Sequence, residues 1–265
     1  MTIEEKKQQL AALLKDHAPL GVAFSGGADS AFLLAMANHV LQDRAVALTS
    51  VGPMHAARER AAAVRMAETI GIRHILLETG RMTAESFVQN PPDRCYACKK
   101  IIWAELRKAA ENMDILHLAD GVSTDDLNEH RPGLAAGAEA GVISPLAMAG
   151  FSKAEIREAS RQMNLFTWNK PAGTCLATRI PYGTRITPEI LAMIEQAEDV
   201  LITAGYAPCR VRYHGGTARI EVAPEAVASL ATAVMRKPVT EQLKQIGFSH
   251  VSLDLAGYRS GSMDV

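Results

Sequence analysis

A chain of 265 residues exceeds one ordinary domain of roughly 100–200 residues, and 48% hydrophobic against 22% charged residues is the balance of a chain that buries a core rather than a disordered one. No apolar run approaches the roughly 18 residues a membrane span needs, and the charged opening MTIEEKKQQL lacks the apolar centre of a signal peptide, so a cytoplasmic protein with no membrane partner is expected. A formal net charge of −1 argues against a long nucleic-acid footprint.

The first helix is expected over about 3–16, and LGVAF (20–24) reads as a short buried strand whose loop, 25–30, feeds the helix SAFLLAMANHVLQ. The order then repeats. AVALTSV (45–51) is a strand, 55–71 a helix ending at a glycine, and HILLET (74–79) a strand. After Pro91-Pro92 come a helix over about 96–112 and the strand DILHLAD (114–120); GLAAGAEAG, VISPL and a helix over 152–164 complete this part. Strands alternating with helices predict an α/β domain, a parallel sheet with helices on both faces. From about residue 180 the texture changes. A helix over 187–205 precedes two alternating strands, 209–215 and 218–222, joined by a Gly-Gly turn; helices over 224–235 and 238–246 lead to a last strand, 250–256. This predicts a smaller α+β domain with an antiparallel sheet, and the division falls into 1–180 and 181–265.

The loop Ser25-Gly26-Gly27-Ala28-Asp29-Ser30 sits between a strand and a helix, where backbone N–H groups and the positive end of the helix dipole suit a phosphate. Gly26 and Gly27 allow close approach, and Ser25 and Ser30 supply hydroxyls. Any strand-turn-helix favours small residues, but the full hexapeptide after an apolar strand is specific. It lacks the lysine and longer spacing of GxxxxGK[ST]. It resembles instead the SGGxDS signature of the PP-loop ATP pyrophosphatases, which adenylate a carbonyl or carboxyl oxygen and release pyrophosphate. That resemblance implies an ATP site at Ser25, Gly26, Gly27, Asp29 and Ser30, with Asp29 and Ser30 organising the phosphates. Asp120 and Gly121, at the end of a later strand, look like the same superfamily's second nucleotide-facing segment.

In DRCYACKK, Cys95 and Cys98 stand three apart at a helix start, so both sulfurs can face one point. On spacing alone this is a zinc half-site, a redox pair or a packing accident. Cys175 lies in a loop, KPAGTCLATRIPYG. Three cysteines complete neither a structural zinc site nor a four-thiolate cluster; a three-thiolate [4Fe–4S] cluster leaves one iron open for chemistry. Further on, strand alternation in CRVRYH sets Arg210, Arg212 and His214 on one face and Cys209, Val211 and Tyr213 on the other. The paired guanidinium groups suit a phosphate, or form a solvated basic face; Cys209 reads as a core thiol. Trp103 and Trp168 are expected in the core.

Together SGGADS, DRCYACKK, RPGLAAGAEAG, NKPAGTCLATRIPYG, CRVRYHGGTARIEV and SLDLAGYRSGSM resemble, in order and nearly from end to end, the LarE family of ATP-dependent sulfur transferases. That resemblance implies adenylation of the carboxylates of pyridinium-3,5-biscarboxylic acid mononucleotide and their conversion to thiocarboxylates, in biosynthesis of the nickel-pincer nucleotide of lactate racemase. ATP and Mg²⁺ are implied, and a homo-oligomer is expected. Two sulfur sources occur in the family. A cysteine matching Cys175 gives up its own sulfur, or three cysteines matching Cys95, Cys98 and Cys175 hold a [4Fe–4S] cluster whose open iron carries sulfide. The presence of Cys95 and Cys98 favours the second. The resemblance also implies a substrate-phosphate grip at Arg210 and Arg212 and a divalent ion near Glu198, which in a plainer reading is a surface carboxylate. It gives no role to Arg259, and Lys99 and Lys100 are either near the adenylate or simply solvated. Thr178 departs from the family's usual serine. Rival readings are a tRNA 2-thiolation enzyme, which needs a basic surface, an amide-forming ligase, which needs no cysteines, and a nucleotide sensor with a structural metal, which would show no ATP–pyrophosphate exchange.

Overall fold

The computed structural model describes residues 1–128, 132–170 and 173–259. The chain divides into two units, one of Met1–Phe87 and Asp93–Gly173, the other of Val88–Pro92 and Thr174 onward. Among the described residues no helix is long and apolar enough to cross a membrane.

In the first unit, helix α1 (Ile3–Asp16) starts at a capping box in which the Thr2 hydroxyl accepts from the Glu5 N–H and the Thr2 N–H donates to the Glu5 carboxylate. There follow β1 (Leu20–Ala23), α2 (Ala28–Leu41), β2 (Ala45–Val51), α3 (Ala57–Ile70), β3 (His74–Glu78), α4 (Glu85–Val88), α5 (Arg94–Glu111), β4 (His117–Ala119), α6 (Thr124–Leu127), α7 (Pro132–Glu139), α8 (Pro145–Met148) and α9 (Lys153–Gln162). The sheet is wholly parallel, in the order β3-β2-β1-β4, and Leu20 pairs with both Ala45 and His117. Strand alternation divides the core between its faces. Leu20, Val22, Ala45 and Ala47 pack with Phe32, Met66 and Phe151 on one side; Val46, Leu48 and Leu118 pack with Ile102, Trp103 and Leu106 of α5 on the other. The expected parallel α/β sheet is therefore present. Helix α2 is buried nearly all round, with Phe32, Leu33 and Leu34 fully inaccessible, so its N-terminal loop is held on a fixed support.

In the second unit a 3₁₀ turn (Leu176–Arg179) precedes α10 (Pro188–Thr203), β5 (Cys209–His214), β6 (Thr217–Val222), α11 (Val227–Leu230), α12 (Ala233–Ile246) and β7 (His250–Leu253). Gly215 and Gly216, at φ 56° and 87°, make the hairpin turn between β5 and β6, a conformation that favours glycine. The hairpin is antiparallel as expected, but β7 joins β6 in parallel, so the three-stranded sheet is mixed. The cause is α12, which carries the chain back along the sheet as crossover helices do. Helix α12 also runs through Pro238, where a break was expected. A proline costs one N–H, and buried Val239 and Leu243 hold the helix to the core across it. The helix expected over 224–235 is instead a 3₁₀ turn (Pro224–Ala226) and the single turn of α11. The segment Val88–Pro92 is fastened by buried Asn90, whose Nδ2 donates to the carbonyls of Pro181 (2.8 Å) and Thr184 (3.1 Å).

Candidate active site

The loop between β1 and α2 is laced by its own hydroxyls. Ser25 Oγ and Ser30 Oγ lie 3.0 Å apart, the Ser25 N–H donates to Ser30 Oγ at 3.3 Å, and Ser30 Oγ donates to the Gly27 carbonyl at 3.3 Å. Ser30 is buried while Ser25 is exposed and Asp29 half-buried. Gly26 has φ 75°, and a Cβ there would fall 2.9 Å from the Cβ of Ala63 on α3. Gly27 caps α2 without a side chain of its own, and its N–H donates to Ser25 Oγ at 3.4 Å. Gly121 comes against this loop: a Cβ on it would sit 2.8 Å from the Ser30 nitrogen and 3.0 Å from the Ser30 Cα, both backbone. The two sequence segments assigned to nucleotide thus meet in the fold. Asp120 beside them accepts from Ser144 Oγ (2.8 Å) and the Val122 N–H (3.2 Å); burial pushes its carboxyl up, and these hydrogen bonds pull against that. Lys170, which the sequence reading did not single out, donates to the Gly26 carbonyl at 3.0 Å and pairs with Glu59 at 2.7 Å. Its only signal was its place inside NKPAGTC.

Cys95 and Cys98 lie in the first turns of α5, Cys95 exposed and Cys98 half-buried. A second residue missed in the sequence, Arg81, is 1% exposed and donates from Nη1 to Cys98 Sγ at 3.8 Å. Nearby His55 is driven down to about 4, first by burial and then by the charges of Arg81 and Lys99, so its imidazole is neutral at neutral pH. The Lys99 ammonium lies 5.6 Å from the Trp103 ring centroid, and Lys100 is 3.8 Å from Glu139. Trp103 is core at 3% exposed; Trp168 is not, at 39%, because it sits on the turn after α9 with its N–H on the Leu165 carbonyl.

Cys175 belongs to the second unit, half-buried, at the head of the 3₁₀ turn. Its carbonyl is gripped by the Thr178 N–H (3.0 Å), the Thr178 hydroxyl (2.8 Å) and Arg179 Nη1 (3.1 Å). The threonine thus supplies a turn-closing hydroxyl where serine was expected. Arg179 also donates to the Thr174 side chain and carbonyl and to Thr178 Oγ1, and its other edge forms a two-point pair with Glu198, at 2.9 and 3.3 Å. Glu198 is fully buried, so it is not a surface carboxylate, and its Oε1 also accepts from the Val211 N–H.

The strand alternation is as expected. Cys209 and Val211 enter the hydrophobic core, and Arg210 and Arg212 share the opposite face. The two arginines differ, however. Arg212 is 5% exposed and pairs at 2.8 Å with Glu221, fully buried, while its Nη1 donates to the Thr178 carbonyl at 3.1 Å. Arg210 is half-buried, lies 4.8 Å from the Tyr258 ring centroid, and among the described residues has no carboxylate within ion-pair distance. Burial, and then the neighbouring Arg179 charge, lower its pKa. Glu198 pairs with Arg179, and Glu221 is shared by Arg212 and Arg219. Arg259 is exposed. Among the described residues no three His, Cys, Asp or Glu side chains gather around one possible metal position.

A family model described as asparagine synthase matches residues 7–107, the stretch holding the phosphate loop and both cysteines of α5. An uncharacterized protein of Synechocystis sp. is 37% identical over 262 residues, covering 99% of this chain and 98% of its own. The pyridinium-3,5-bisthiocarboxylic acid mononucleotide synthase of Lactiplantibacillus plantarum is 36% identical over 264 residues, 99% of this chain and 95% of that one. An uncharacterized protein of Methanocaldococcus jannaschii is 29% identical over 240 residues, 90% of each chain. The likeness runs through both units.

Proposed function

The chain belongs to the LarE family of ATP-dependent sulfur transferases, and from that premise we propose that it converts the carboxylates of pyridinium-3,5-biscarboxylic acid mononucleotide to thiocarboxylates for the nickel-pincer nucleotide. A substrate carboxylate oxygen attacks the α-phosphorus of ATP and pyrophosphate leaves. A sulfur nucleophile then attacks the acyl carbon, and AMP leaves with the original carboxylate oxygen. In this reading Ser25, Gly26, Gly27, Asp29, Ser30 and Gly121 hold ATP with Mg²⁺, Lys170 fixes the loop through the Gly26 carbonyl, and Arg210 takes the substrate phosphate. Arg212 shapes that site from behind, and Glu198 serves as the counter-ion of Arg179 rather than as an ion ligand. The observation that supports the reading is that Arg179 binds the backbone of the Cys175 turn while its charge also bears on Arg210, the guanidinium assigned to the substrate phosphate.

Cys95, Cys98 and Cys175 supply the thiolates for a [4Fe–4S] cluster. The donor chemistry fits: two sulfurs a turn apart, one of them facing a buried cation, and no fourth cysteine outside the core. When bound, such a cluster supplies a replaceable sulfide on its open iron. In a second reading Cys175 surrenders its own sulfur by β-elimination and becomes dehydroalanine, which needs neither Cys95 nor Cys98. Anaerobic protein turned over once with ATP and substrate separates the two. Iron, acid-labile sulfide and an unchanged Cys175 mass support the cluster; dehydroalanine at 175 supports the sacrifice.

Two variants test the binding assignments. Gly121→Ala forces a Cβ into the Ser30 backbone and displaces the loop, so substrate-dependent pyrophosphate release should fall about a hundredfold with the far-UV circular dichroism unchanged. Arg210→Ala should weaken substrate binding by about 1.5–3 kcal/mol, the worth of a charge-assisted contact, and leave ATP binding intact. Against a dephosphorylated substrate the same variant should lose almost nothing, because the contact is already gone. Equal losses on both ligands would remove Arg210 from the phosphate. Arg212→Ala should instead lower the urea midpoint, since it leaves buried Glu221 with Arg219 as its remaining guanidinium partner.

A further inference from the structure

We propose that Arg81 is the positioning residue and counter-charge for the sulfur of Cys98. The proposal rests on the reading of Cys98 as an iron ligand, and it starts from an imbalance in the first unit. Arg81 is almost completely buried, yet its partners carry no formal negative charge. Its Nε donates to Thr79 Oγ1 (2.6 Å), and its Nη2 to Ser50 Oγ (2.8 Å) and the Val51 carbonyl (3.1 Å). Among the described residues no Asp or Glu lies within ion-pair distance of it. Removing a guanidinium from water without an anion costs several kcal/mol, so a fully buried arginine surrounded by hydroxyls and a carbonyl calls for a negative partner. The remaining contact, from Nη1, is the Cys98 sulfur, which is anionic when it ligates a metal.

The surroundings sharpen the point. His55, packed nearby, is held neutral, and Lys99 adds a further cation. Neither offers Arg81 a counter-charge. The hydroxyl anchors fix the fork: Ser50 Oγ and Thr79 Oγ1 are 3.2 Å apart, at the ends of neighbouring strands β2 and β3, so Nη1 is aimed by the sheet itself. N–H donors to ligand sulfurs and nearby charges are established means by which proteins raise a cluster's reduction potential. A purely structural Arg81, tying β2 to β3, would use Ser50, Val51 and Thr79 alone and leave the sulfur indifferent to it.

The test uses Arg81→Gln, which keeps a hydrogen-bonding side chain and removes the charge. In the metal-free full chain, iodoacetamide labelling of Cys98 at fixed pH should slow about tenfold, with Cys95 three residues away as the internal control at its parent rate. After anaerobic reconstitution the cluster's midpoint, read by an EPR-monitored redox titration, should move to a more negative potential by about 59 mV, a tenfold change for one electron. Cys98 labelling at the parent rate overturns the proposal whether or not iron loads, and a loaded variant at the parent potential does so too. Slowed labelling in a protein whose parent takes up no iron removes the cluster and leaves the pairing standing. Should the glutamine variant not fold, Arg81→Lys retains the charge but loses the fork, and a smaller slowing, about threefold, carries the same comparison.

Discussion

Cys175→Ala is expected to go on releasing pyrophosphate from ATP in the presence of substrate while forming no thiocarboxylate. The turn that presents Cys175 is gripped at its backbone, because the Thr178 N–H, the Thr178 hydroxyl and Arg179 all bind the Cys175 carbonyl. Deleting the sulfur therefore leaves the turn, the Arg179–Glu198 pair and the anion site in place. The phosphate loop belongs to the other unit and rests on a helix with its own core, so adenylation has no reason to fail. The acyl-adenylate then meets water instead of sulfur and returns the starting carboxylate. Pyrophosphate release and product mass, followed in the same tube, check this. Loss of both would place Cys175 in the adenylation step and refute its role as sulfur carrier. Cys95→Ala then distinguishes the sulfur sources: it should abolish product if a cluster is used and spare one turnover if Cys175 is sacrificed.

How much of this was legible in the chain depends on the range of the interaction. The phosphate loop was readable because a strand, a tight turn and a helix start are neighbours in sequence, and the polarity of β5 because alternation is a local rule. What alternation could not give was the partner of each guanidinium. Glu221, from the other strand of the hairpin, stands opposite Arg210 in the register, yet its carboxylate pairs diagonally with Arg212, so side-chain packing and not register decides the partner. Arg81 carried no sequence signal: it follows a glycine after β3, and its importance comes from its burial and from Cys98, which reaches it from α5. Trp168 and the parallel β7 were misjudged for the same reason. Burial of an aromatic and the direction of a last strand are decided by what packs against them, which composition does not record.

The largest stability effect is expected at Glu198. Glu198→Ala leaves the Arg179 guanidinium buried without its anion, and stranding one partner of a buried pair typically costs about 3–5 kcal/mol. It also strips an acceptor from the Val211 N–H, so β5 is loosened at the point where it carries Arg210 and Arg212. The urea midpoint of the second unit should fall sharply and thiocarboxylate formation with it. Because a misfolded protein loses activity for trivial reasons, the informative variant is the double one. Replacing both partners by apolar residues, Arg179→Met with Glu198→Leu, removes the stranded charge, and such exchanges are often neutral or stabilising. Its stability should return close to that of the parent, giving a coupling energy of several kcal/mol in the cycle. Activity should not return with it, because methionine cannot hold the carbonyls of Thr174 and Cys175 or the Thr178 hydroxyl, and the sulfur would no longer be presented. A double variant that regained both stability and sulfur transfer would reduce Arg179 to a packing residue. One that regained neither would show that Glu198 answers to something other than Arg179, and an ion ligand would then be the first alternative.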